Sequence, residues 1–75
     1  MGKPPSLTAL KLIRALKRAG FVEDRQKGSH LILIHASTKA MTVVPVHRGR
    51  SIKDSLLRAI LHDARLTVDE FLELL

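Results

Sequence analysis

His30 directly follows Lys27, Gly28 and Ser29, and this short segment raises the first chemical question in the sequence. Histidine is the side chain whose unperturbed pKa lets it take or give a proton near pH 7. A lysine ammonium, a glycine N–H and a serine hydroxyl beside it are donors that phosphate oxygens accept from. Together these groups suit attack of a ribose 2′-hydroxyl on the adjacent phosphate. That reaction needs a proton-transfer group, and positive charge or amide donors around phosphorus. Arg25 lies across the same turn and adds a second cation. Taken alone, the segment leaves open a purely structural, hydrogen-bonded role for a histidine at a strand start.

Other chemistries fit the residues less well. His30 and His35 are five apart, so in a strand they project to opposite faces and share no ligand. No two histidines have the four-residue spacing that puts both imidazoles on one helix face, so a zinc site is not expected. Neither Ser29 nor Ser51 sits in a Gly-x-Ser-x-Gly turn that would present a triad nucleophile. The four glycines are isolated and form no phosphate-cradling loop. With no cysteine there is no thiol nucleophile, thiolate ligand or disulfide. Neither metal nor cofactor is expected.

The elements that would position His30 follow from periodicity. Ser6 is placed to cap a first helix running to about residue 19, with Pro4 and Pro5 just outside it. Ala9, Leu12, Ile13, Leu16 and Ala19 form its apolar stripe, and Lys11, Arg14 and Arg18 fall on another face. Gly20 ends it. Residues 21 to about 26 read as a strand, Lys27-Gly28 as a turn, 29–35 as a second strand and about 40–47 as a third. Arg48-Gly49-Arg50 is a basic loop before a second helix over roughly 52–64, striped by Leu56, Leu57, Ile60 and Leu61. Thr67 and Glu70 match a capping box for a short last helix. The expected fold is therefore α+β: helix, three-stranded antiparallel sheet, helix and short C-terminal helix, with the helices on one face. That is the layout of a double-stranded-RNA-binding-like domain, and it takes residues 1–75 as a single domain.

Charge supports a polyanionic partner. Thirteen Lys and Arg against seven Asp and Glu give a net charge of +6. Residues 1–66 hold all thirteen bases and only four of the acids, while residues 67–75 hold three acids and no base. A basic body of this kind is an electrostatic footprint for nucleic acid. Lys11, Arg14, Arg18, Arg25, Lys27, Arg48 and Arg50, with Gly28 and Ser29, are the candidate RNA contacts. Only two aromatics are present, Phe21 and Phe71, so there is no platform for stacking bases. The longest apolar run, Leu31-Ile32-Leu33-Ile34, is far short of a membrane span. No membrane partner is expected, and a cytoplasmic location is compatible with the sequence.

Strand alternation puts Leu31 and Leu33 on one face and His30, Ile32 and Ile34 on the other. If the second and third strands pair across the 36–40 loop, Val44 and Val46 join the His30 side. Both faces are then apolar although the helices cover only one, which makes Ile32, Ile34, Val44 and Val46 a candidate protein interface. A C-terminal helix folded over that face is the competing arrangement.

Five blocks occur in order along the chain: Lys17-Arg18-Ala19-Gly20-Phe21, Arg25-Gln26-Lys27-Gly28-Ser29-His30, Thr42-Val43-Val44-Pro45-Val46-His47, Leu57-Arg58-Ala59-Ile60-Leu61 and Leu66-Thr67-Val68-Asp69-Glu70-Phe71. This series resembles the HicA toxin family over nearly the whole chain, from Leu10 to Leu75. The resemblance implies ribosome-independent cleavage of messenger RNA, neutralisation by a HicB antitoxin encoded beside the toxin, and a catalytic histidine at His30. It implies a structural or substrate-contacting role for His47. Asp54-Ser55 stands where relatives commonly have Gly-Thr, so an added carboxylate near the helix start could repel phosphate. Arg65 stands where a helix-ending glycine is usual, at a small cost in an αL conformation. A non-catalytic RNA-binding module of the same fold is the alternative reading.

Overall fold

A computed structural model describes residues 7–47 and 49–75. The expected Ser6 cap and the candidate contact Arg48 lie outside the described residues. The elements run α1 (Ala9–Arg18), β1 (Phe21–Lys27), β2 (His30–His35), β3 (Met41–Pro45), α2 (Asp54–Asp63) and α3 (Val68–Glu73). The three strands form one antiparallel sheet in the order β1-β2-β3, the expected α+β arrangement of a double-stranded-RNA-binding-like fold.

Thr8 caps α1, its hydroxyl oxygen accepting from the Lys11 N–H at 3.3 Å, and Lys17 and Arg18 complement the dipole of the last turn. The face carrying Leu12 and Leu16 packs onto the sheet, where Leu33 and Val44 are fully buried, and α2 adds Ile60 and Leu61 from the same side. Thr42 is the buried polar member of the core. Its hydroxyl donates to the Ile60 carbonyl at 3.0 Å, which satisfies the group and ties β3 to α2.

Helix α3 has only six residues, too few to be stable as an isolated helix. It is held by the Thr67–Glu70 capping box and by Phe71, whose burial contributes roughly 2–3 kcal/mol. It packs with α2 and its Leu74 carbonyl accepts from the Arg18 guanidinium at 2.6 Å, which answers the question of what α3 covers. It closes the helical layer and does not fold over the opposite sheet face.

Arg65 is in the left-handed region with φ 62, as expected of a residue in glycine's place. The Arg65 and Leu66 N–H groups donate to the His62 and Leu61 carbonyls at 3.0 and 2.9 Å, the paired bonds of a Schellman motif. Arginine there costs a fraction of a kcal/mol to about 1 kcal/mol relative to glycine, without disturbing the turn.

Candidate active site

The β2–β3 register sorts side chains between the two faces of the sheet. Leu31 faces Val44 and Leu33 faces Thr42 on the core side; His30 faces Pro45, Ile32 faces Val43 and Ile34 faces Met41 on the outer side. This corrects one expectation. Val44 is 0% exposed in the core and Val46 packs against the core, so neither shares the face of His30. Val43, 38% exposed, takes that place. Pairing is offset by one residue from the assumed register, and a one-residue offset inverts a strand's faces.

On the other side of β2 the pairing is irregular at Asp24. Glu23 faces Leu33, yet Arg25 faces Ile32, so Asp24 is the extra residue of a bulge. The bulge resets the alternation. Before it, Phe21 is in the core and Glu23 reaches Lys17 of α1 in an ion pair; after it, Arg25 and Lys27 are on the outer face. Without it both cations would share the parity of Phe21. Lys27 becomes the direct cross-strand neighbour of His30, and Arg25, two pairs along and opposite Ile32, is the next side chain of β1 on that face.

Gly28 and Ser29 are the two residues of the hairpin joining β1 to β2, so the strand reaches Lys27, one residue past its expected end. Gly28 has φ 57, a backbone region that glycine enters without Cβ strain. The turn is braced: the Gln26 side chain donates to the Gly28 carbonyl at 3.1 Å, and the Val46 N–H donates to the Ser29 carbonyl at 2.6 Å. Among the described residues, the Gly28 and Ser29 N–H groups have no protein acceptor. The His30 imidazole is exposed and makes no side-chain hydrogen bond among the described residues. It is therefore not the hydrogen-bonded structural histidine that the sequence left open.

His35 is that histidine. Its Nε2–H donates to the Ala19 carbonyl at 2.9 Å, its Nδ1 accepts from the Ser37 and Thr38 N–H groups at 3.0 and 3.1 Å, and its ring meets Phe21 edge-on. Four histidines thus separate by role: His35 structural, His30 and His47 exposed at the β-sheet end, and His62 exposed on α2. No three His, Asp or Glu side chains converge as metal ligands would among the described residues.

The remaining sequence candidates are not brought to His30. Lys11, Arg14 and Arg18 are exposed on α1, which lies against the core side of the sheet, and Arg18 is engaged with Leu74. Arg50 is exposed in the loop after β3, near Pro45. The Asp54 carboxylate accepts from Arg58 Nε at 2.9 Å, so its charge is met on its own helix and is less of an obstacle to phosphate. Two features escaped the sequence reading. One is the bulge, whose signal was the run Glu23-Asp24-Arg25-Gln26, where alternation is lost. The other is the extension of the outer apolar face to Val22 and Met41, which are 53% and 54% exposed.

The sheet, the one-sided helical layer and the basic hairpin define a small α+β domain with an open, cation-flanked histidine. The model of the HicA toxin of bacterial toxin–antitoxin systems matches residues 10–66, and the chain belongs to that family. It is a toxin component of such a system. A comparison with curated proteins gives no match. No helix among the described residues is long and apolar enough to cross a membrane.

Proposed function

We propose that the toxin is a metal-independent endoribonuclease that cleaves messenger RNA, with His30 as general acid or base and residues 1–75 as one functional unit. The observation that carries this reading is the group on the outer face at the hairpin: exposed His30, Lys27 beside it, Arg25 next along, and two turn amides without an acceptor. In the reaction the ribose 2′-oxygen bonds to phosphorus and the 5′-oxygen leaves. His30 takes the proton from the first or gives one to the second, while Lys27 and the Gly28 and Ser29 amides meet the charge on the non-bridging oxygens. Lys11 and Arg14, behind the sheet, act at a distance by raising the local concentration of RNA, as does the basic loop with Arg48 and Arg50. The cytoplasm is where this substrate is met.

Purified toxin incubated with RNA in EDTA is expected to release fragments ending in 2′,3′-cyclic phosphate. RNA binding that weakens with salt, with no cleavage at any salt concentration, would overturn the reading in favour of a non-catalytic binding module.

The family implies an antitoxin partner. We propose that a HicB-type antitoxin docks on the outer face, on Ile32 and Ile34 with Val22, Met41 and Val43 in place of Val44 and Val46. These side chains form a contiguous apolar surface that no helix among the described residues covers. An Ile34→Asp toxin is expected to lose antitoxin binding by at least about tenfold and to keep its cleavage rate, measured by titration calorimetry and RNA degradation. Undiminished binding would show that the antitoxin sits elsewhere.

A further inference from the structure

Next to His30, beyond the edge strand β3, the loop after Val46 and the first turn of α2 enclose a groove of about 180 Å³. Its apolar walls are Pro45, Ile52 and Leu56, and Pro45 is the cross-strand neighbour of His30. His47, Arg50 and Lys53, all exposed, line the same groove. Ser51 bridges to Thr8, and the Ile52 N–H donates to the Leu7 carbonyl at 2.7 Å, which fixes the loop to the start of α1.

We infer that this groove is a nucleotide subsite, taking one base of the RNA strand against its apolar walls while Arg50 or Lys53 holds a neighbouring phosphate. The inference rests on the ribonuclease reading for its place beside the cut, though not for the binding itself. Three observations converge on it. Phe21 and Phe71 are both buried, so the surfaces open to a base at this groove are its aliphatic walls and the imidazole of His47. The far end of the outer face, at Val22, Ile34 and Met41, is apolar without a cation in its cross-strand row, whereas the groove joins an apolar wall to two cations. At about 180 Å³ and open to solvent on one side, the groove has room for one heterocycle. Because Pro45 is only one strand spacing, about 5 Å, from His30, the base held here belongs to a nucleotide adjacent to the cleaved bond. The site therefore sets base preference at one position flanking the cut.

The test titrates isotope-labelled toxin with each of the four nucleoside 5′-monophosphates and, as a probe with the same phosphate and no base, with ribose 5-phosphate. Saturable amide shifts are expected at Ser51, Ile52, Lys53 and Leu56. The favoured nucleotide should bind on the order of tenfold tighter than ribose 5-phosphate. Leu56→Glu, at a partly exposed position, should remove that difference, and Ile52→Ala should reduce it; the retained spectrum of each reports that the fold persists. In RNA sequencing of cleavage ends, Leu56→Glu should flatten the base preference beside the cut. Equal shifts from ribose 5-phosphate, or shifts confined to the Lys11 and Arg14 face, would overturn the subsite. Base-dependent shifts in a toxin that cleaves no RNA would instead overturn the ribonuclease reading and leave the subsite standing.

Discussion

His30→Ala toxin is expected to cleave RNA on the order of 10²–10⁴-fold more slowly than the parent, the usual loss when one proton-transfer group is removed. The fold should be unaffected, because the imidazole is exposed, makes no side-chain hydrogen bond among the described residues and is not part of the core. RNA affinity should fall far less than the rate, since Lys27, Arg25 and the turn amides remain in place. The check is single-turnover cleavage of a labelled RNA together with a binding isotherm at the same salt concentration. A rate within threefold of the parent's would remove His30 from the chemistry. A parallel loss of rate and affinity would make it a binding residue. Cell growth gives an independent readout: expression of the parent alone should arrest growth, and the variant should relieve the arrest.

Gly20→Ala should have the largest effect on stability. Gly20 has φ +107, which L-residues rarely adopt, and an added Cβ would lie 2.6 Å from Nε2 of His35. The ring has nowhere to retreat. It is held at Nε2 by the Ala19 carbonyl, at Nδ1 by the Ser37 and Thr38 amides, and by its edge-on contact with Phe21. Backbone strain of about 1–3 kcal/mol adds to at least one broken hydrogen bond of about 1 kcal/mol, for a total near 3 kcal/mol. A domain of this size has only about 4–11 kcal/mol in all. The urea midpoint should fall with little change in slope, and Tm should drop by more than about 10 °C. A loss under about 1 kcal/mol would mean that the His35 ring rearranges freely and is not the lock described above.

The element order, the α1 and α2 stripes, Gly20 and the Thr67–Glu70 capping box were legible because each has a local physical cause. Spacing on one helix, a missing Cβ and a reciprocal pair of hydrogen bonds all act within a few residues. The register of β3 was not legible. Leu31-Ile32-Leu33-Ile34 and Val43-Val44 are apolar at both parities, so the pattern does not select a face. The deciding contact is nonlocal. Thr42 turns inward because its hydroxyl reaches the Ile60 carbonyl on α2, and nothing near Thr42 in the sequence announces that acceptor. At the candidate site, Lys27-Gly28-Ser29-His30 marked the turn between β1 and β2, but local sequence could not distinguish an exposed imidazole from a structural one. That distinction came from the contrast with His35, whose ring partners come from three separate positions along the chain. The α1 cations looked equivalent to Arg25 and Lys27 in composition and are separated from them by the thickness of the sheet.

The bulge at Asp24 has a consequence for how β1 tolerates change. The strand's sidedness is set by counting residues between Val22 and Lys27, more than by which residues they are. Exchanging one cation for the other keeps the charge at the hairpin, and deleting Asp24 itself would leave a regular ladder with Arg25 and Lys27 still on the outer face. Deleting Gln26 instead would pair Arg25 with Leu31 and put Asp24 opposite Ile32, exchanging a cation for a carboxylate on the outer face, or the hairpin would slip to avoid it. In this strand the place of a one-residue deletion matters more than its length, and libraries that shorten the hairpin should do so at Asp24.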